Sequence, residues 1–136
     1  MVRPIMKDLL FLAMKAESAV EQDQDVIRDL QDTLQACRDR CVGMAANMIG
    51  QRKRIIIVSA GPVPLVMVNP RLLSGRDTYE AEEGCLSLPG IRKTTRYRHI
   101  TVAYLDSRFK PKTGSFEGYP AQIIQHELDH CEGILI

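Results

Sequence analysis

The first long stretch of helical periodicity lies at residues 24–41. Apolar residues recur there every three or four positions, which places them on one face of a helix with charged residues between them. These residues are Val26, Leu30, Leu34, Cys37 and Cys41. Asp23 precedes the first turn, where it can cap free backbone N–H groups. The pattern predicts an amphipathic helix from residue 24 to residue 41.

The middle of the chain has the composition of β-strands. The segment "RIIIVSAGPVPLVMVNP" contains two runs rich in β-branched residues, interrupted by a glycine and two prolines, and we interpret it as two strands joined by a turn. The segment "HITVAYLDS" alternates apolar and polar residues and predicts a further strand. The segment "FKPKTGSFEGY" is typical of a hairpin, with Lys112, Thr113 and Gly114 at its tip.

The end of the chain predicts a second helix. It begins near Pro120, a residue tolerated in a first helical turn, and ends at about Cys131, with Gly133 as its stop. The strands form a block between the two helices instead of alternating with them, so the fold class is predicted as α+β, with antiparallel sheets packed around the C-terminal helix. No repeat or linker-like change of composition divides the chain, and we expect a single domain over residues 1–136.

Composition narrows the range of partners. The 136 residues are 45% hydrophobic and 26% charged, which suits a globular domain with a buried core. Eighteen basic and seventeen acidic residues leave a formal charge of +1, so no strong field favours nucleic acid or an anionic membrane. The apolar patch from Leu9 to Met14 is too short to span a membrane and lacks the features of a signal peptide. We therefore expect a cytoplasmic protein.

The chain contains four cysteines, and in a cytosolic protein their roles are more often metal binding or core packing than disulfide formation. Cys37 and Cys41 would form an i, i+4 pair on the apolar face of the first predicted helix. They could bind a metal, but no histidine lies near them in the sequence. A buried free cysteine behaves as a small hydrophobic residue, so the core interpretation is favoured for this pair.

The segment "QHELDH" has the spacing of a metal site. Residues four apart share one face of a helix, so His126 and His130 can bind one ion, and Glu127 can reach a water on that ion and act as its general base. The alternative is an exposed helical turn that contains two histidines by chance. The third histidine of the chain, His99, is predicted to lie on the surface.

A catalytic site of this kind needs a third protein ligand that leaves one coordination position open for water. Cys85 is the best candidate, because the glycine before it and the Pro-Gly pair after it in "EEGCLSLPG" predict an irregular segment that can present a thiolate. Cys131 directly follows His130 and would point about 100° around the helix from it, which makes it a poorer ligand. The alternative for Cys85 is a core position.

Three motifs, "GMAA", "EGCLS" and "QHELDH", occur in an order and at approximate spacings that resemble the peptide deformylase family from about Met6 to the end of the chain. The resemblance implies a deformylase-like fold and hydrolysis of the formamide on the N-terminal methionine of newly made polypeptides. It implies one divalent metal on Cys85, His126 and His130, typically ferrous iron, with Zn²⁺ or Ni²⁺ in its place in some preparations. The expected partners are nascent formyl-Met polypeptides at the ribosome, with no specific nucleic acid and no membrane.

The same resemblance implies roles for further residues. Glu127 would shuttle a proton during hydrolysis, and the backbone N–H of Leu86 would face the negative charge that develops on the formyl oxygen. Gly43 would let the substrate backbone approach closely.

The first motif departs from the family pattern Gly-x-Gly-[Leu/Met]-Ala-Ala-x-Gln. It reads "CVGMAANM" here, so that Cys41 replaces the first glycine and Met48 replaces the glutamine. The glutamine amide donates a hydrogen bond to the formyl oxygen, which a thioether cannot do. Loss of one such donor typically costs about 100- to 1,000-fold in rate, so we expect reduced efficiency. The amide of neighbouring Asn47 could replace it only if the local backbone differs.

Two other functions compete with deformylation. A metal-containing relative without activity could bind formylated or other N-terminal peptides, and Met48 favours that hypothesis. A zinc peptidase could use the same His-Glu-His helix, but Cys85 disfavours it because such enzymes usually take histidine or glutamate as the third ligand.

Overall fold

The computed structural model describes all of residues 1–136, which form three α-helices and one five-stranded sheet. The helices are α1 (Leu9–Leu12), α2 (Gln24–Ala36) and α3 (Gly118–Cys131). The strands are β1 (Gly43–Ala45), β2 (Ile55–Val58), β3 (Leu65–Cys85), β4 (Leu88–Leu105) and β5 (Pro111–Glu117), antiparallel neighbours in chain order. This confirms the α+β prediction. None of the helices is long and apolar enough to cross a membrane.

Strand β2 lies at the centre of the hydrophobic core, and its four residues have no exposed surface. Successive strand residues point to opposite faces of a sheet. Ile55 and Ile57 therefore pack in a cluster with residues of α2, whereas Ile56 and Val58 pack in a second cluster with residues of α3. The all-apolar run in the sequence is explained by helices that cover both faces of this part of the sheet.

Helix α2 ends five residues earlier than the periodicity predicted, at Ala36 instead of residue 41. Cys37 caps it and is buried, as a core interpretation requires. The next three residues, "RDR", offer no apolar side chain to bury, so a longer helix would gain no packing energy. Cys41 lies beyond the helix and is half-buried, and the predicted i, i+4 pair with Cys37 on one helical face is therefore wrong.

A long hairpin of β3 and β4 carries the functional part of the sheet. The two strands pair over most of their length and are joined by a tight turn at Leu86 and Ser87. Register shifts interrupt the pairing at three places, and the last of them separates Glu83 from Cys85. Because a bulge re-aims the neighbouring side chains, this irregularity lets Cys85 leave the regular pattern at the end of β3.

The predicted hairpin around residue 113 is wrong. Lys112, Thr113 and Gly114 lie inside β5 and pair with Tyr104, Ala103 and Val102 of β4. The turn comes earlier, where a carboxylate oxygen of Asp106 accepts hydrogen bonds from the N–H groups of residues 108 and 110. An aspartate that bonds the backbone ahead of it stabilises a turn, and here it decides the position of the loop.

Helix α3 matches its prediction closely. It begins at Gly118, two residues before Pro120, and ends at Cys131. Gly133 has a φ of 74°, a left-handed conformation that ends helices and favours glycine. A Cβ atom at this glycine would also lie 2.4 Å from the carbonyl oxygen of Ala13, so the chain end packs tightly against the segment after α1.

Candidate metal centre

Three ligand atoms from two elements converge at the centre of the molecule. Cys85 stands at the end of β3, and His126 and His130 lie one turn apart on α3. The Sγ atom of Cys85 is 3.4 Å from Nε2 of His130, which is 3.1 Å from Nε2 of His126. All three donor atoms lie within 4.8 Å of one another. The structure thus brings together the three residues that the sequence singled out as metal ligands.

These distances fit a single divalent ion. Tetrahedral coordination with metal–nitrogen bonds of about 2.0–2.1 Å and a metal–sulfur bond of about 2.3 Å places two nitrogens roughly 3.4 Å apart and nitrogen and sulfur roughly 3.6 Å apart. The observed separations, 3.1 Å between the nitrogens and 3.4 Å between nitrogen and sulfur, are close to these values. Two imidazoles and one thiolate are donors that suit iron, zinc and nickel. Three protein ligands leave a fourth position for water or substrate, as catalytic sites require.

Burial shifts the pKa values of His130 and Cys131 in directions that make His130 a good metal ligand and Cys131 a poor one. Burial lowers the pKa of His130 to about 3, so its ring is neutral and has a free lone pair. Burial raises the pKa of Cys131 to about 12, and its side chain packs in the apolar cluster of α3. The preference for Cys85 over Cys131 agrees with this placement.

A buried carboxylate orients the first histidine. Nδ1 of His126 donates to Oε1 of Glu83 over 2.8 Å, which leaves Nε2 free to face the other ligands. The guanidinium of Arg96 binds both oxygens of Glu83, at 2.7 and 2.9 Å, and also donates to Asp129 at 2.7 Å. Burial alone would raise the pKa of Glu83, but the hydrogen bonds from His126 and Arg96 outweigh it and lower this pKa to about 2. Glu83, Arg96 and Asp129 were not predicted from the sequence.

Glu127 is buried beside the ligands. It is 3% exposed, and its Oε1 atom has no hydrogen-bond partner within the protein. Burial raises its pKa to about 7, the range that suits a general acid and base at neutral pH. A Cβ atom at Gly43 would lie 2.9 Å from Oε2 of Glu127 and 2.6 Å from Cγ2 of Ile123. Gly43 therefore makes room for the carboxylate of Glu127.

Two of the three ligands, Cys85 and His126, line a cavity of about 510 Å³. Its inner wall includes Gly43, Met48, Cys85, Leu86, Gln122, Ile123, His126 and Glu127, and charged residues 38–40 and 82 also line it. All the site residues of the sequence analysis except His130 thus face one space. His99 does not line it and lies on β4 between the carboxylates of Asp77 and Glu117, at 3.6 and 3.2 Å.

The residues of the first motif have different contacts. Met48 is 1% exposed, lines the cavity, and accepts a long hydrogen bond from the N–H of Ala45, with 3.5 Å between N and Sδ. The amide nitrogen of Asn47 donates instead to the backbone carbonyl of His130 at 3.0 Å. Successive residues of the 3-10 turn at Ala46–Ile49 point in different directions, which explains why the two differ. Asn47 is therefore not the substitute donor that the sequence left open.

Comparison with known proteins agrees with the motifs. The profile of the polypeptide deformylase family matches residues 6–136. A peptide deformylase of Clostridium beijerinckii is 54% identical over 136 residues, all of both chains, and one of Pelotomaculum thermopropionicum is 40% identical over 126 residues, 91% of this chain and 81% of the relative.

Solved structures share the fold. The peptide deformylase of Thermotoga maritima superposes with a TM-score of 0.89 at 30% identity and covers 99% of this chain and 95% of its own. The Met-Ala-Ser-bound class I type b peptide deformylase of Acinetobacter baumannii gives a TM-score of 0.88 at 30% identity, with 99% and 97% of the two chains covered. The family profile, the full-length relative and the fold agree, and this chain belongs to the peptide deformylase family.

Proposed function

We propose that this metal-dependent hydrolase removes the formyl group from the N-terminal methionine of newly made polypeptides, with Cys85, His126 and His130 as the metal ligands. The observation that carries the proposal is the convergence of three ligand atoms, with 3.1 and 3.4 Å between neighbours. Two of these ligands, Cys85 and His126, line one cavity together with buried Glu127. A full-length relative at 54% identity carries the name peptide deformylase.

A divalent ion in this site supplies a Lewis acid that polarises the formyl group and activates water near neutral pH. We propose ferrous iron as the resident ion, with Zn²⁺ or Ni²⁺ in its place in some preparations. The mixed nitrogen and sulfur donors are compatible with all three.

Glu127 is proposed to move the proton. Its carboxylate is placed next to the ligand His126 in the sequence and has one oxygen without a protein partner. With a pKa of about 7, it can take a proton from the attacking water and return it to the leaving amine as the C–N bond breaks. The products are formate and a free N-terminal methionine.

The cavity wall supplies the remaining roles. We propose that the backbone N–H of Leu86, directly after Cys85, donates to the formyl oxygen as negative charge develops on it. Gly43, which has no side chain, is proposed to leave room for the substrate backbone in addition to the carboxylate of Glu127. The solved relative with bound Met-Ala-Ser supports a peptide that begins with methionine as the ligand class. The cytoplasm and the nascent chain at the ribosome are the proposed setting.

One observation favours the alternative of a peptide-binding relative with little or no activity. The buried Sδ atom of Met48 lines the cavity and cannot donate a hydrogen bond to an oxyanion. The alternative of a zinc peptidase has no comparable support, since Cys85 occupies the third ligand position.

The decisive experiment measures formate release from formyl-Met-Ala-Ser by protein loaded anaerobically with Fe²⁺. We expect turnover by the parent chain and a loss of at least about 100-fold in Glu127→Gln, because the amide keeps the shape of the side chain but cannot take a proton. Metal content is measured on the same samples and should be equal in the parent chain and in Glu127→Gln. Equal rates would remove Glu127 from the mechanism, and peptide binding without turnover by the parent would favour the binding relative.

A further inference from the structure

Two rows of side chains face each other between β3 and α3. Residues at even spacing on a strand share one face, and residues four apart on a helix share one face. The rows are Tyr79 and Glu83 on β3, followed by Cys85 after the register shift at the end of that strand, and Gln122, His126 and His130 on α3. The inner ends of both rows are the metal ligands. The outer ends, Tyr79 and Gln122, have no role in the function proposed above.

Gln122 and His126 hold the two oxygens of one carboxylate. Nε2 of Gln122 donates to Oε2 of Glu83 at 3.0 Å, and Nδ1 of His126 donates to Oε1 at 2.8 Å. The two bonds from Arg96 bring the total to four, which is the full accepting capacity of a carboxylate. Helix α3 thus fixes the carboxylate in its plane from one side while Arg96 holds it from β4.

Tyr79 fixes the direction of the Gln122 amide. A carboxylate only accepts hydrogen bonds, so the NH₂ group of Gln122 must face Glu83 and its Oε1 must face away. The hydroxyl of Tyr79 lies 3.3 Å from that oxygen and donates to it. The guanidinium of Arg98 lies over the Tyr79 ring, with 4.5 Å from Cζ to the ring centroid, and holds the ring in place.

We propose that Tyr79 and Gln122 are positioning residues for the metal centre, which hold Glu83 and, through it, the imidazole of His126 in the orientation that binds the ion. The inference rests on the metal ligands proposed above. Partners of a ligating histidine commonly change metal affinity by about 10- to 100-fold when they are lost. Gln122 acts one bond further out, and we expect an effect near the lower end of that range.

The test is Gln122→Met, which keeps the length and flexibility of the side chain but removes both hydrogen bonds. Zn²⁺ is the probe, titrated in competition with a chromogenic chelator and without substrate. Activity is a poor readout here because Gln122 also lines the cavity, so that the variant would change substrate contacts as well. We expect about tenfold weaker Zn²⁺ binding and faster Zn²⁺ loss to the chelator.

Tyr79→Phe is a milder second variant, since it removes only one half-buried hydroxyl. It should weaken Zn²⁺ binding in the same direction by a smaller factor. If Tyr79 acts through Gln122, the double variant Tyr79→Phe/Gln122→Met binds Zn²⁺ as weakly as Gln122→Met alone. A fully additive double variant would refute this order of action.

Gln125→Met is the matched control. Gln125 lies on the same helix and bonds the backbone N–H and carbonyl of Tyr97 at 2.8 Å each, but it does not contact Glu83. We expect it to lower thermal stability and to leave Zn²⁺ affinity unchanged. The positioning role would be refuted if Gln122→Met and Tyr79→Phe both bound Zn²⁺ as tightly as the parent chain, or if Gln125→Met lost as much Zn²⁺ affinity as Gln122→Met. The metal site itself would still stand after either result. A parent chain that binds no Zn²⁺ would overturn the metal site as well.

Discussion

The side chain of Met48 lines the same cavity as Cys85 and Glu127, yet it has no hydrogen atom that it can donate. Its sulfur accepts from the backbone N–H of Ala45, so the thioether helps to hold the turn that follows β1. In the mechanism proposed above, the ion and the backbone N–H of Leu86 stabilise the formyl oxygen. Reduced efficiency remains a prediction that rests on this one residue.

Met48→Gln should raise kcat/KM for formyl-Met-Ala-Ser by roughly tenfold or more. One hydrogen-bond donor to the oxyanion typically raises the rate about 100- to 1,000-fold, and a newly introduced side chain recovers only part of that gain. The measurement is steady-state kinetics of Fe²⁺-loaded protein with equal metal content in both forms. A parent enzyme that is already fast, and is not improved by the substitution, would mean that another group supplies the missing hydrogen bond.

Some residues of the site could be predicted from the sequence, and others could not. Cys85, His126 and Glu127 could be predicted because their chemistry and spacing are rare outside metal sites. Glu83 and Arg96 could not, since carboxylates and guanidinium groups are abundant in this chain and their pairing depends on contact across the β3–β4 hairpin. The role of Asn47 was left open, because the sequence does not reveal that its amide donates to the carbonyl of His130.

Contact between elements explains the role of Gly43. Strand β1 passes so close to α3 that a methyl group at Gly43 would lie 2.6 Å from Ile123 and 2.9 Å from the carboxylate of Glu127. The sequence suggested that this glycine admits substrate. The structure adds that the absence of a side chain lets strand and helix approach each other at the carboxylate of Glu127.

Gly43→Ala should therefore lower kcat by at least about tenfold, because the new methyl group displaces Glu127 and a misplacement of about 1 Å can cost on the order of 100-fold in rate. Metal content should stay close to that of the parent, since His126 and His130 point elsewhere from the same helix. Kinetics and metal analysis on one preparation check both statements. Parental kcat would show that Glu127 tolerates the displacement.

Element boundaries were predicted less well than element types. The apolar periodicity of α2 includes Cys41 by coincidence, whereas the helix ends where "RDR" removes the gain from burial. The extent of β3 was missed because its middle part, "RLLSGRDTYE", is mostly exposed and owes its strand conformation to pairing with β4. A strand that is stabilised mainly by pairing with a distant segment shows no periodic pattern of apolar residues in its own sequence.

On the scale of the whole molecule, the metal centre joins two elements that are far apart in the chain. Cys85 is the last residue of β3, at the turn of the long hairpin, and both histidines lie on the last helix, which packs on the sheet face opposite α2. A bound ion therefore adds a link between β3 and α3 that exists only in the folded state. Such binding stabilises the fold by about 2.7 kcal/mol when the free ion is at 100 times its Kd.

Removal of the metal should lower the melting temperature by on the order of 10 °C, since each kcal/mol corresponds to a few degrees in a domain of this size. Thermal unfolding with Zn²⁺ and with excess chelator measures the difference. Cys85→Ser should abolish this difference, because it removes one of three protein ligands. Cys131→Ala is the matched cysteine control: it leaves a small cavity in the apolar cluster of α3, so it should lower both melting temperatures and keep their difference. A difference that survives in Cys85→Ser but disappears in Cys131→Ala would assign the thiolate ligand to Cys131.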